Sequence, residues 1–166
     1  MNKTITLKPQ RINHENFSGF GKVLETKIPT FYNEDFDWFE NLSVFGFDKV
    51  EIGLVRVRNN DDYTQKTLER HNKTVELIMP VENDIILVLA KGDADKVEDF
   101  SAFYVPVGSA AAINEGIWHQ APMCLPNNKV SSAFILYSEG TGARDKEQIV
   151  LKDRGFNVLI DITKTV

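Results

Sequence analysis

The sequence predicts an all-β fold, a small barrel or sandwich with one or two short helices. Three observations carry this. Short segments of alternating apolar and polar residues, about nine of them, recur with turn residues between them. One of these segments, IILVLA at residues 85–90, is continuously apolar and rich in branched side chains, as a strand buried on both faces requires. No stretch shows a sustained helical period.

Taken in order, residues 4–8 alternate enough for a first strand. Asn13 is placed to cap a short helix through Phe17, which Gly19 and Gly21 then end. GKVLETK, residues 21–27, reads as a strand. Residues 31–47 hold Phe31, Tyr32, Phe36, Trp38, Phe39, Phe45 and Phe47 among acidic neighbours. A loop with a short helical turn, its aromatics plugging one end of the core, is expected there. Val50, Ile52 and Leu54 alternate, and Arg56 and Arg58 continue the same parity. One strand face therefore turns from apolar to cationic, either because it runs from a core to an open mouth or because the strand simply ends in water. TQKTLERH, residues 64–71, places Glu69 and His71 on one face and Arg70 on the other. Val75, Leu77 and Met79 alternate next. KGDADKVED is a charged hairpin loop, and SAFYVPV puts Phe103, Val105 and Val107 on one face. Residues 129–137 set Ala133, Ile135 and Tyr137 opposite Phe134 and Leu136. EGTGARDKE is a polar loop, and EQIVLK and GFNVLID supply the last strands. The expected core includes Ile86, Leu87, Val88, Phe103, Val105, Phe134 and Ile135.

The 166 residues suit one domain, 1–166, able to bury a core without staples. An apolar content of 42% with 26% charged residues is that of a soluble globular protein. A formal net charge of −5 argues against nucleic acid, which needs a basic footprint. The single cysteine, Cys124, excludes an internal disulfide. The N-terminus has no apolar leader, and no apolar run approaches the ~18 residues of a membrane helix. A cytoplasmic location is the expectation.

The chemistry concentrates in PVGSAAAINEGIWHQAP, residues 106–122, which holds His119, one of three histidines, beside Trp118. Gly116, three residues earlier, allows the positive φ of a tight turn. In a strand starting near Ile117, Ile117 and His119 share one face and Trp118 takes the other. A lone histidine in such a place is more often a half-buried residue with a hydrogen-bond partner than a catalyst. Glu69 and His71 on a second strand raise its standing. In double-sheet barrels of the cupin kind, polar groups from neighbouring strands converge in the mouth.

FSGFGKVLE (17–25), TLERHNKTVELIMPV (67–81), IILVLAKG (85–92) and GIWH (116–119) resemble, in order and spacing, the ureidoglycolate lyases, formerly also called ureidoglycolate hydrolases. The resemblance implies a cupin-like β-barrel, a homodimer, and cleavage of ureidoglycolate to glyoxylate and urea in allantoin and purine catabolism. Family members commonly read N-Y-x-x-G-x-W-H-H-P across the last motif. This chain has Ala112 and Ile113 for the Asn–Tyr pair, Gln120 for the second histidine, and its proline one residue late, at Pro122. If those positions touch substrate, hydrogen bonds worth roughly 1–3 kcal/mol each are lost, and weakened turnover is expected.

Ureidoglycolate cleavage needs a base for the hydroxyl proton, an acid for the leaving nitrogen and a cation for the carboxylate. His119 and His71 suit acid and base, with Glu69 orienting a histidine or moving a proton. Arg70 or Arg58 suits the carboxylate, and Asn114, Trp118 and Gln120 complete the expected substrate contacts. Alternation sets Arg70 opposite Glu69 and His71, so a regular strand cannot bring all three into one cavity. Glu69, His71 and His119 also form an O,N,N set for a divalent metal. Two other readings stand beside the lyase: a cupin-like enzyme for another small hydroxy acid or sugar derivative, and a non-catalytic binding protein for such a ligand.

Overall fold

The computed structural model describes residues 2–26 and 28–163. Its centre is the strand Ile85–Ala90, every residue of which is buried. Antiparallel pairing with Phe100–Val105 matches Leu87 to Phe103 and Val88 to Ala102. Alternation then sends Ile85, Leu87 and Leu89 to one side and Ile86, Val88 and Ala90 to the other. Met123–Cys124 and Gln10–Arg11 complete this four-stranded sheet.

Each side of the central strand has its own core. Ile85, Leu87 and Leu89 pack with Phe17, Phe20, Val23, Ile78 and Phe103. This core lies under a five-stranded sheet ordered Gly21–Glu25, Ser109–Ile113, Glu76–Pro80, Val130–Ser138 and Val50–Arg58. Ile86, Val88 and Ala90 pack instead with Leu68, Ile149, Phe156 and Val158. These come from the pair Thr67–Arg70 with Glu147–Val150, and from a sheet of Lys3–Leu7, Phe156–Ile160 and Thr64–Gln65. The unbroken apolar run is thus explained by cover from both sides within one chain. At roughly 1.5–3 kcal/mol per fully buried large side chain, this strand contributes more than any other of its length. The fold is mainly β, with two short helices, His14–Phe17 and Thr141–Arg144. Asn13 caps the first, its Oδ1 accepting from the backbone of Glu15 and Asn16.

Four expectations change. Residues 31–47 form no helical turn and plug no core. Phe31–Tyr32 and Asp37–Trp38 make a two-stranded hairpin with exposed side chains. Phe134 is 39% exposed, because the five-stranded sheet is apolar on its outer face too; Ile135, its neighbour, packs inward. Arg56 and Arg58 share that outer face with Val50, Ile52 and Leu54 and do not enter a mouth. Ser109–Ile113, where the sequence reading placed no strand, is a buried strand between Gly21–Glu25 and Glu76–Pro80. Alanine is a poor strand former on its own, but here small residues let strands close in. A Cβ on Gly21 would sit 1.9 Å from the Ala112 carbonyl oxygen.

That contact generates a prediction. Gly21→Ala forces two backbones apart and lowers stability by about 1–3 kcal/mol, read as a drop in the urea midpoint with an unchanged m-value.

Candidate active site

His71 follows the Thr67–Arg70 strand, and His119 follows the Gly116 turn, where φ is +75° as the motif predicts. Backbone hydrogen bonds join the two segments. Glu69 and His119 exchange N–H···O bonds of 2.7 and 2.8 Å, and the Gly116 N–H donates to the His71 carbonyl. Trp118 exchanges a second pair of bonds with Ala90. The GIWH segment therefore bridges the central sheet to the strand that carries Glu69. Trp118 faces away from His119, its indole donating to the Gly92 carbonyl.

Both imidazoles converge on a residue absent from the sequence reading. Glu76 Oε2 lies 3.1 Å from His71 Nε2 and 3.4 Å from His119 Nε2. All three side chains are buried. His119 Nδ1 sits 2.9 Å from the Ile117 carbonyl, and His71 Nδ1 is bonded to the Asp145 carbonyl. A carbonyl only accepts, so each Nδ1 carries the hydrogen, and each Nε2 is the atom left for chemistry. Burial opposes ionisation of Glu76. The two imidazoles beside it, His119 and His71, outweigh that cost and bring the carboxyl down to about 2. Burial likewise lowers His71, but the Glu76 hydrogen bond, the Asp145 carbonyl and the charges of Glu76 and Glu69 raise it overall.

A cavity of about 320 Å³ opens beside this cluster. Glu69, His71, Glu76, Tyr137 and Lys146 give it a polar side, and Leu54, Val55, Ile78 and Ile135 an apolar one. Lys146 Nζ is 3.4 Å from Glu69 Oε2. Burial, then the charges of Glu51 and Glu76, raise the Tyr137 phenol, which stays a proton donor. Lys146 stands in the loop after the second helix, where the sequence reading looked for no cation. Its only signal was an alternating neighbour, Glu147, that begins the next strand.

The structure brings Glu69, His71 and His119 together and disperses the other candidates. Arg70 points away, as alternation requires. Its guanidinium grips Glu147 at 2.7 and 3.0 Å and covers the Trp118 ring at 4.4 Å. Arg58 lines a separate depression with Arg56, Glu82 and Lys129. Asn114 borders another, beside Lys22 and Lys73. Trp118 belongs to a hydrophobic core. Gln120 is 3.4 Å from the Thr67 hydroxyl. Ala112 and Ile113 are buried in their strand and do not line the cavity.

Glu69, His71 and His119 also offer one oxygen and two nitrogens of the kind that ligate a divalent ion. One ligand atom each from Glu69, His71 and His119 lie within 4.8 Å of one another.

The depressed Glu76 carboxyl sets an acid limb. Its ordinary value of 4.5 falls to about 2 in the folded protein. Its contribution is present above about pH 4.5 and is lost as pH falls towards 2, since the unfolded chain then takes up the proton first. In metal-free protein the urea midpoint of the wild type drops between pH 5 and 2.5, and that of Glu76→Gln drops less.

The chain matches the ureidoglycolate lyase family over residues 4–158. No curated protein matches it significantly. Among solved structures, an oxalate decarboxylase from Bacillus subtilis is similar at 13% identity and a TM-score of 0.42, over 61% of this chain and 24% of that one. A 3,4-ketoisomerase from Thermoanaerobacterium thermosaccharolyticum, solved with TDP-4-keto-6-deoxyglucose, is similar at 13% identity and a TM-score of 0.44, over 61% and 65%. The chain thus spans about a quarter of the first and under two thirds of the second. A match that runs through nearly the whole chain, including both histidine segments and the Glu76 strand, decides the assignment: this chain belongs to the ureidoglycolate lyase family.

Proposed function

We propose that this protein cleaves ureidoglycolate to glyoxylate and urea, with the cavity beside His71 and Glu76 as its active site. The observation that carries this reading is the Glu76 carboxylate held between two imidazoles at the edge of a cavity that also holds Lys146. Family membership supplies the substrate.

The reaction is an internal proton transfer. The hydroxyl O–H proton leaves, the carbonyl forms, the C–N bond breaks, and the urea nitrogen takes a proton. In our reading Glu69 accepts the hydroxyl proton. His71, kept charged by Glu76, gives the nitrogen its proton from Nε2. His119 holds Glu76 in place from the far side. Lys146 and the Tyr137 hydroxyl receive the substrate carboxylate, in the part expected of Arg70 or Arg58. The apolar wall excludes water, which strengthens each of these contacts. If Glu69, His71 and His119 held a divalent ion instead, they would serve as ligands rather than move protons, and the ion would supply Lewis-acid chemistry.

Urea release from ureidoglycolate, corrected for spontaneous breakdown, tests the reading. His71→Asn lowers kcat by about 10²–10⁴-fold, the usual worth of a positioned acid. Lys146→Met raises KM more than it lowers kcat, since it removes binding common to substrate and transition state. Tight binding of glyoxylate without turnover would move the protein to the class of ligand-binding proteins.

Metal binding has its own readout. Addition of Zn²⁺, Mn²⁺ or Ni²⁺ raises the melting temperature of the metal-free wild type, by mass action on the folded state. The rise disappears in His119→Ala. No shift with any of the three ions in the wild type would show that the cluster works without metal.

A further inference from the structure

Two unpartnered apolar surfaces lie on this one chain. The first is the outer face of the five-stranded sheet. Register places Ile52, Leu136 and Leu77 in one cross-strand row and Leu54, Phe134 and Met79 in the next. Ile52 is 64% exposed and Leu54 53%. Val50–Arg58 is also the edge strand of that sheet, and long apolar edges invite another chain. The second surface is the hairpin of Phe31–Tyr32 and Asp37–Trp38. Phe31 meets Phe36 at a tilt, ring centroids 5.8 Å apart, and Phe31, Tyr32, Phe36 and Trp38 are all more than half exposed.

Charge says what fits between them. Residues 28–48 carry Glu34, Asp35, Asp37, Glu40 and Asp48 and no lysine or arginine. The end of the sheet face carries Arg56, Arg58 and Lys129 against one carboxylate, Glu82. Among the described residues Arg58 has no ion pair, and Arg56 only a 3.4 Å hydrogen bond to Ser132. An acidic, aromatic hairpin and an apolar face with a basic end are complements. The chain owns one of each, so a two-fold pair of copies satisfies both at once.

We propose that two copies of this chain associate by laying each hairpin across the outer sheet face of the other, its carboxylates against Arg56 and Arg58. The family resemblance implies a dimer but names no surface; this assignment rests on the two faces alone and goes beyond the lyase reading. Leu54 belongs both to this face and to the active-site cavity. The partner's hairpin therefore borders the mouth of each site.

Sedimentation velocity and tryptophan emission on the full chain test it. Trp118 is already buried and Trp38 is 54% exposed, so association shows as a blue shift from Trp38 as concentration rises. The wild type is expected to dimerise at micromolar concentration. Arg56→Glu with Arg58→Glu raises Kd at least tenfold, about 1.4 kcal/mol. Adding Glu34→Lys and Asp37→Lys to that variant recovers most of the loss. Phe36→Ala with Trp38→Ala also weakens the dimer. All of these sit on the surface, and near-UV circular dichroism verifies an intact core. A wild type that stays monomeric at about 100 µM, far above the Kd of a standard-size interface, overturns the proposal without any variant. So does a dimer that Ile52→Glu dissolves but neither the hairpin nor the arginine variants weaken.

Discussion

A carboxylate buried between two imidazoles is the constraint the rest of this structure serves. An ionised Glu76 in an apolar interior is expensive unless paired and hydrogen-bonded. One partner, His71, precedes it across a short turn, but the other, His119, comes from a segment far along the chain, so distant backbone must be held in register to within a hydrogen-bond length. The backbone does this. The Glu69–His119 and Ala90–Trp118 bridges fix the GIWH segment from both sides, and the Asp145 and Ile117 carbonyls fix each ring so that Nε2 points inward. The Asp145 carboxylate in turn accepts from the Asn72 and Lys73 backbone, closing the 139–147 loop over His71. The loop that looked like a plain polar connection thus sets the tautomer of His71 and delivers Lys146 to the cavity.

Much of the site was legible in the sequence, and what was not failed for one physical reason. Glu69, His71 and His119 stood out because alternation and a glycine turn aimed them together. Glu76 was hidden because Val75, Leu77 and Met79 read as the inward side of their strand. They look outward, onto the apolar outer face of the sheet, and Glu76 and Ile78 look in. Parity analysis assumes that only one face of a strand is apolar. Where both are, the rule alone does not say which side is buried, and Phe134 was counted into the core although it is 39% exposed. The central strand escaped this because both its faces are buried. The fold class was therefore secure while the placement of single residues was not.

The cations follow from the same geometry. Arg70 was attractive by type, since a guanidinium fork matches a carboxylate. Its fork is already spent on Glu147, and its plane on Trp118. There it pins the last strand pair to the core rather than reaching for substrate. Among the described residues Lys146 is bound only by Glu69, at 3.4 Å. A point charge on a flexible stem exchanges one carboxylate for another more easily than a bidentate arginine does, so it is the better group to meet an arriving anion.

The departures from the family motif acquire a different meaning in this frame. Ala112 and Ile113 sit in a strand squeezed between two others, where Gly21 meets the Ala112 carbonyl and Ile113 pairs with Glu76 on the neighbouring strand. Small and branched apolar residues there serve packing. They hold the Glu76 strand at the distance that lets its carboxylate reach both imidazoles. Gln120 turns to Thr67 rather than into the cavity. The groups facing the cavity, Glu69, His71, Tyr137 and Lys146, draw on none of these three side chains. Ala112, Ile113 and Gln120 themselves supply no donor to this cavity. In the proposed reading, Glu69, His71 and Lys146 on that polar side would serve as the base, acid and cation that the carbinolamide cleavage demands.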